Sequence, residues 1–369
     1  VTATLPAGFL TVGQEPARRM ALRAAEAGRG GRSVLVHGPA GAGKDAFVDD
    51  LLALAFCSDP DRARRPCNAC RGCRDARARS HPDLVVGSPD GWREMRSTGE
   101  SIVAAARRWL LDGAGAPISA SRRIVLVEQA DRASEQIQNA LLKALEEPTD
   151  RHAFILVADD PSRLLPTIRS RCQPLRIGPV PRAELVEHLM AVRRLPADQA
   201  DALARISNGL AGTALGYADR ADLIEWRRRI QGTLLAQLER GPADRFEAVR
   251  DLLDDAVPME GPTPAAAHLE EGAEPARGPA ADQRAAAALI VAAWIELSRD
   301  LLVSSADRAG LAPAGELGPD LARIAVRLEI GELSAMIRLL EQIADGLREN
   351  AAPRLALERA MIAWPRLDR

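Results

Sequence analysis

Residues 38–45 read Gly38-Pro-Ala-Gly-Ala-Gly43-Lys44-Asp45. They follow the apolar run Ser33-Val34-Leu35-Val36 and precede a helical pattern that puts Phe47, Val48, Leu51, Leu52 and Ala55 on one side. A short buried strand that turns through glycines straight into a helix commits the chain to an α/β layer arrangement. Glycines let backbone N–H groups curl around an anion, and the positive end of the helix dipole favours it. Gly38, Gly41 and Gly43 therefore read as a phosphate cradle, with Lys44 reaching the outer phosphates of a nucleotide. The last position of such a loop normally carries Ser or Thr, whose hydroxyl binds Mg2+. Here it is Asp45, whose carboxylate sets negative charge near the phosphates. A cradle for ATP and Mg2+, and a strand-to-helix turn that holds no ligand, both remain open to this sequence.

Further strands are predicted at Leu84-Val85-Val86, Ile124-Val125-Leu126-Val127 and Phe154-Ile155-Leu156-Val157. Helices are predicted over residues 17–29, 45–56 and 133–147; Ser134 caps the last, Glu135 complements its dipole and Pro148 stops it. Strands alternating with helices imply a parallel sheet covered on both faces. After about residue 178 the strand signal disappears, and residues 183–192, 200–207 and 211–217 read as short helices, with a break at Asn208-Gly209. Longer helices are expected from about 221, with helical patterning at 283–305 and 318–348. Residues 258–282, rich in Pro, Ala, Glu and Gly, read as a flexible insertion.

Four of the five cysteines form a C-x9-C-x2-C-x2-C cluster at Cys57, Cys67, Cys70 and Cys73. Four thiolates close a tetrahedral shell around Zn2+, and the two-residue spacings let a tight turn present neighbouring sulfurs to one ion. With no position left for water, the expected role is structural. Cys172, far off in sequence, reads as a small buried residue. The odd count and the clustering fit a reducing compartment better than disulfides.

Bulk properties narrow the partners. The 369 residues suggest two or three domains, and a 47% apolar, 27% charged composition fits a chain with a real core. The formal net charge is −2, whereas a protein that holds DNA alone relies on a basic excess to neutralise phosphates. Any DNA contact is therefore expected to be shared with partners. No apolar run is long enough for a membrane helix and the start lacks a signal-peptide pattern, so a cytoplasmic location is expected.

The stretch from Ile124 to Cys172 carries Asn139-Ala-Leu-Leu-Lys143, Leu145-Glu-Glu-Pro148, Pro161-Ser-Arg-Leu-Leu165 and Ser170-Arg171-Cys172. These pieces, with His81-Pro82-Asp83 after a cysteine module, resemble the clamp-loader branch of AAA+ proteins, shared by the bacterial gamma/tau and delta-prime subunits. The resemblance covers roughly residues 8–220 and is poor over 88–120. It implies three domains: a RecA-like AAA+ parallel-sheet domain over 1–177 with the zinc module at 57–73, a helical lid over 178–220, and an all-α collar over 221–369 that serves oligomerisation.

The family's motor subunits need a set of residues around ATP, and four elements are altered. The Walker B strand ends in Glu128-Gln129 instead of Asp-Glu: Glu128 retains a carboxylate for a metal, but the amide of Gln129 offers no useful base. The sensor 1 position holds Ala158, the sensor 2 pattern reads Gly209-Leu-Ala-Gly212 without its arginine, and Asp45 ends the phosphate loop. Within the family this pattern of losses implies the delta-prime branch. Arg171, in contrast, matches the motif that supplies an arginine finger to the neighbouring subunit's ATP site, with Arg169 the weaker candidate. The implied partners are the delta and gamma/tau subunits and, through the complex, the sliding clamp and primer-template DNA. A gamma/tau-type motor and a zinc-bearing DNA-binding relic are the alternatives. Among lesser features, Arg227-Arg228-Arg229 reads as a solvated face or a contact to a partner or DNA, and the tryptophans Trp92, Trp109, Trp226, Trp294 and Trp364 read as core or interface and not as a base-stacking platform.

Overall fold

The computed structural model describes residues 8–26, 33–113, 115–146, 151–219, 221–254, 279–306, 318–348 and 351–367. The chain divides into two compact units, Val1–Leu215 and Gly216–Arg369.

The first unit is built on a parallel sheet of β1 (Val34–His37), β2 (Leu84–Gly87), β3 (Arg123–Val127), β4 (His152–Ala158) and β5 (Gln173–Arg176), in the order β2-β3-β4-β1-β5. Around it lie α1 (Glu15–Glu26), α2 (Lys44–Phe56), α3 (Arg71–Arg77), α4 (Pro89–Glu94), α5 (Ile102–Gly113), α6 (Glu135–Glu146) and α7 (Pro166–Arg171). Three further helices follow: α8 (Arg182–Arg193), α9 (Ala197–Ile206) and α10 (Ala211–Ala218).

Both faces of the sheet are apolar because successive strand residues point to opposite sides. Val36, Leu126, Ile155 and Val157 pack with Phe47, Val48 and Leu52 of α2 on one face. Leu35, Val125, Phe154 and Leu156 pack with Trp109 of α5 and Ile137 and Leu141 of α6 on the other.

β5 is the strand that pattern reading missed. Its sequence, Gln173-Pro-Leu-Arg176, has a single buried residue, Leu175, and a proline. Proline is tolerated there because β5 is an edge strand bonded only to β1. Residues 88–120, where the family pattern is weakest, contain α4 and α5, with Trp92 and Trp109 packed at 5.3 Å between ring centres.

The His81-Pro82-Asp83 motif proves structural. Fully buried Asp83 accepts from the backbone N–H groups of Ile118, Ser119 and Ala120 at 2.5–2.8 Å and from the Ser119 hydroxyl at 2.9 Å. Burial opposes its ionisation, but these donors outweigh it and hold the carboxyl at about 2. His81 stacks on Phe56 at 3.7 Å, and its Nδ1 accepts from the Asp83 N–H at 3.1 Å, which fixes a neutral ring.

Among its described residues the second unit is all-helical: α11 (Ala221–Ala236), α12 (Pro242–Asp254), α13 (Pro279–Ser305), α14 (Gly318–Ala325), α15 (Ile330–Arg348) and α16 (Pro353–Ala363). Its core centres on Trp226, Trp294 and Trp364, the last two meeting edge to face at 5.3 Å. Arg245, buried, donates to the carbonyls of Gln237, Met361, Trp364 and Pro365, satisfying chain-end carbonyls that lack helical partners. All five tryptophans are buried, as expected. The Arg227-Arg228-Arg229 run is not a uniform surface face, because Arg227 is buried and ion-paired with Glu296. Of the expected insertion at 258–282, residues 258–278 lie outside the described residues, and 279–282 belong to α13. Among the described residues no helix is long and apolar enough to cross a membrane.

Candidate functional site

In a parallel sheet all strands end on the same side, and the strand order reverses beside β1. Loops leaving β1 and β4 therefore meet at the carboxyl edge, the usual ligand crevice of such sheets. His37 pairs with Ala158, and the Gly38 N–H donates to the Ala158 carbonyl at 3.2 Å. This places Asp159 against the glycine loop.

Lys44 opens α2 and is only 8% exposed. Its Nζ donates to the Gly38 and Pro39 carbonyls at 2.9 and 3.0 Å and pairs with Asp159 Oδ1 at 2.6 Å. Asp159 is itself held: the N–H groups of Asp159 and Asp160 donate to Asp131 Oδ2 at 3.1 and 2.9 Å. Asp131 lies in a 3-10 turn and braces the β4 exit. The start of α10 closes the loop from the other side, where the Thr213 N–H donates to the Gly41 carbonyl at 3.1 Å. Gly41 has φ +77°, and a Cβ there would lie 2.0 Å from Thr213 Oγ1, so only glycine fits. Asp45 sits in the first turn of α2, on the positive end of the helix dipole.

Glu128, just past β3, is ion-paired with Arg79, whose Nε also donates to Asp49 Oδ1 at 2.9 Å. Arg79 follows α3 and is buried against these two carboxylates. Gln129 accepts from Arg132 at 3.3 Å, and Ala158 is fully buried at the end of β4. The cradle's lysine and the Walker B carboxylate thus already have partners within the chain. In this arrangement the residues present do not fit ATP and Mg2+.

The cysteines tell the opposite story. The sulfurs of Cys57, Cys67, Cys70 and Cys73 all lie within 4.8 Å of one another. The backbone N–H groups of Cys67, Cys70 and Cys73 each donate to the preceding cysteine sulfur at 3.4 Å. Such donors favour thiolates, the form that binds metal. Burial pushes the Cys57 and Cys73 thiols up, whereas at Cys70 the N–H groups of Ser58 and Cys73 outweigh burial and hold it at about 6. Local folding explains the convergence: Cys57 ends α2 and Cys70 caps α3. Gly72 lets the two helices approach, since a Cβ there would lie 2.1 Å from the Phe56 carbonyl oxygen. This donor set fits a four-coordinate metal ion.

The module is tied to the rest of the unit through Asp50 of α2, which is fully buried. It accepts from the N–H groups of Leu10 and Thr11 at 2.9 Å, from the Thr11 hydroxyl, and from Arg77 Nη2 at 2.9 Å. Arg77 and Asn68 also donate to the Gly8 carbonyl.

Arg171 ends α7 on the surface, its side chain 36% exposed. Nη2 meets Glu146 Oε1 at 2.8 Å and Nη1 donates to the Thr167 carbonyl at 3.0 Å. Ser170 and Arg169 are exposed as well, while Cys172 is buried and its thiol is pushed up to about 12 by desolvation. Buried Gln138 of α6 anchors the approach to α7, donating to the Ala133 and Arg163 carbonyls and accepting from the Leu165 N–H at 2.8 Å.

A family model described as "DNA polymerase III, delta subunit" matches residues 13–181. The chain is 33% identical over 196 residues to DNA polymerase III subunit delta' of Escherichia coli K12, covering 52% of this chain and 55% of that protein. It is 35% identical over 175 residues to the same subunit of Pseudomonas aeruginosa, covering 46% and 49%. Over this region the chain is similar to the delta' subunits of DNA polymerase III. It is also 31% identical over 185 residues to DNA polymerase III subunit gamma/tau of Mycobacterium tuberculosis H37Rv, covering 47% of this chain and 29% of that protein. The chain spans about half the length of the delta-prime relatives it matches.

Motif reading singled out the loop, the cysteine cluster and Arg171. It missed Asp159, Arg79, Asp49, Asp50 and Gln138. Asp159 stands one residue past the sensor 1 position, and its only signal is a charged residue directly after a buried strand. Arg79 carried no signal, because its partners Asp49 and Glu128 are 30 and 49 residues away in the chain.

Proposed function

We propose that the chain is a stator of the DNA polymerase III clamp loader. In this reading it assembles with delta and gamma/tau subunits, does not turn over nucleotide itself, and lends Arg171 to the ATP site of the adjacent motor subunit. The complex would open the sliding clamp and place it on primer-template DNA in the cytoplasm. The carrying observation is the contrast between Lys44, internally satisfied, and Arg171, at the surface. A guanidinium brought to a subunit boundary stabilises charge on a transferring phosphoryl group. Arg171 would exchange Glu146 for phosphate oxygens, and Gln138 would keep α7 in place while it does so.

The remaining assignments follow the same reading. Residues 178–220 act as the lid and 221–369 as the collar. Cys57, Cys67, Cys70 and Cys73 hold Zn2+, which supplies a structural cross-link between α2 and α3. Gly38, Gly41, Gly43, Lys44, Asp45 and Glu128 keep the form of a nucleotide site without its turnover, since Gln129 stands at the base position and its amide cannot activate water.

The test is reconstitution with gamma/tau and delta. Arg171→Ala lowers clamp-stimulated ATP hydrolysis by about 10^3-fold or more while the complex still assembles on a sizing column. Unchanged hydrolysis rejects the reading.

A further inference from the structure

The charges that a magnesium nucleotide would bring to the phosphate loop are already supplied by side chains. Lys44 is buried and cannot be left without an anion; it has one in Asp159, at 2.6 Å. The Asp159 carboxylate reaches it from a turn that Asp131 pins through two backbone N–H groups. One strand further along the carboxyl edge, after β3, the Glu128 carboxylate and the Asp49 carboxylate both pair with the Arg79 guanidinium, whose side chain is 9% exposed.

Arg79 also has φ +53°, a left-handed conformation that suits glycine or asparagine better. Backbone preference does not explain an arginine there; its two carboxylate partners do.

We infer that Asp159 stands in for a phosphate on Lys44 and Arg79 for a metal ion on Glu128, so that the chain holds its own phosphate loop in a liganded form. The site is then a latent polyphosphate site, shut by an internal anion and an internal cation. An incoming phosphate must displace Asp159 from Lys44, and a divalent ion must displace Arg79. This goes beyond the stator reading and would stand even if Arg171 had no role in trans. If the two ion pairs were ordinary surface decoration, removing either would create no binding site.

The isolated, zinc-loaded full chain is sufficient for the test. Thermal unfolding is followed with and without inorganic pyrophosphate, since a ligand of the native state raises the midpoint. Wild type shows no shift. Asp159→Asn unfolds at lower temperature and regains several degrees with pyrophosphate, and adding Lys44→Met abolishes the gain. Asp159→Ser provides the same comparison should the first variant fold poorly. In the second arm, Arg79→Gly, which suits the local backbone, binds one Mn2+ per chain by electron paramagnetic resonance at least about tenfold more tightly than wild type. Glu128→Gln removes that binding. The inference is overturned if wild type responds to pyrophosphate as strongly as Asp159→Asn, if the folded Asp159 variants do not respond, or if Arg79→Gly gains no Mn2+. The isolated chain contains no motor subunit, so none of these outcomes bears on Arg171.

Discussion

Lys44 and Arg171 are both motif cations of the same unit, and the structure treats them oppositely. Lys44 is sealed, with two carbonyls of its own loop and the Asp159 carboxylate as partners. Arg171 stands at the end of a six-residue helix, held by one carbonyl and one exposed carboxylate. An exposed ion pair contributes little, about 0–1 kcal/mol, so Arg171 leaves Glu146 at small cost. A buried lysine stripped of its partner would be left as an uncompensated charge, which costs several times more. A surviving motif therefore does not by itself indicate a surviving site; what matters is whether its charged atom can be given to a ligand.

The largest expected effect tests this contrast directly. In the reconstituted complex, Arg171→Ala lowers the hydrolysis rate by about 10^3-fold, and Arg171→Lys recovers little of it because a lysine cannot reproduce a planar, multi-donor fork. Lys44→Met lowers the same rate by no more than about twofold, after correction for the folded fraction measured by circular dichroism. A drop at Lys44 comparable to that at Arg171 would erase the distinction.

The next effect concerns what keeps the sealed side sealed. Arg79 lies two residues past α3, whose start is capped by the Cys70 sulfur accepting from the Cys73 N–H. Chelation of the metal, or Cys73→Ser, is expected to destabilise the first unit by about 3 kcal/mol or more, because a folded metal site contributes its binding energy to folding. Hydrogen exchange locates the change: residues 8–11 and 66–79 lose protection, while α6 and α7, on the Arg171 side, retain theirs. Uniform loss over both regions would show that the module supports the whole unit and not this edge alone.

How much of this was legible in the sequence follows the range of the interactions. The sheet, the phosphate loop and the cysteine cluster depend on local period and spacing, and β1 to β4 lie within two residues of their expected bounds. β5 was not read because an edge strand buries a single side chain and tolerates proline. The sealing residues were not read because each acts across the fold. Asp159 meets Lys44 only because β4 lies next to β1, and Asp83 meets residues 118–120 only because β2 lies next to β3. Strand order is what brings them together, and no motif encodes it.

Asp83 makes a pH prediction. Its carboxyl is held at about 2, below its ordinary value of 3.8. A depressed carboxylate contributes stability that is full above the unfolded value and is lost as pH falls through the folded one. Between about pH 4 and 2 the wild-type chain therefore loses about 2 kcal/mol that Asp83→Asn does not lose. At neutral pH the variant is less stable by a similar amount. Denaturant midpoints across that pH range measure it, and parallel curves for the two proteins would remove Asp83 as the anchor of the 118–120 loop.

The smallest effect separates the two cations most finely. Asp131 touches neither of them; it accepts from the N–H groups of Asp159 and Asp160 and so sets where the Asp159 carboxylate points. These bonds are partly open to water, and Asp131→Ala is expected to cost about 1 kcal/mol of stability. Its more specific consequence is directional. With the turn released, Asp159 visits Lys44 less often, so the variant gains a weak pyrophosphate-dependent rise in unfolding temperature, smaller than that of Asp159→Asn. Hydrolysis by the reconstituted complex is unaffected, because α7 is anchored independently through Gln138. If Asp131→Ala instead lowered hydrolysis and left pyrophosphate sensitivity at zero, the turn after β4 would belong to the outward-facing side of the unit, and the division between a sealed and a lent cation would have to be redrawn.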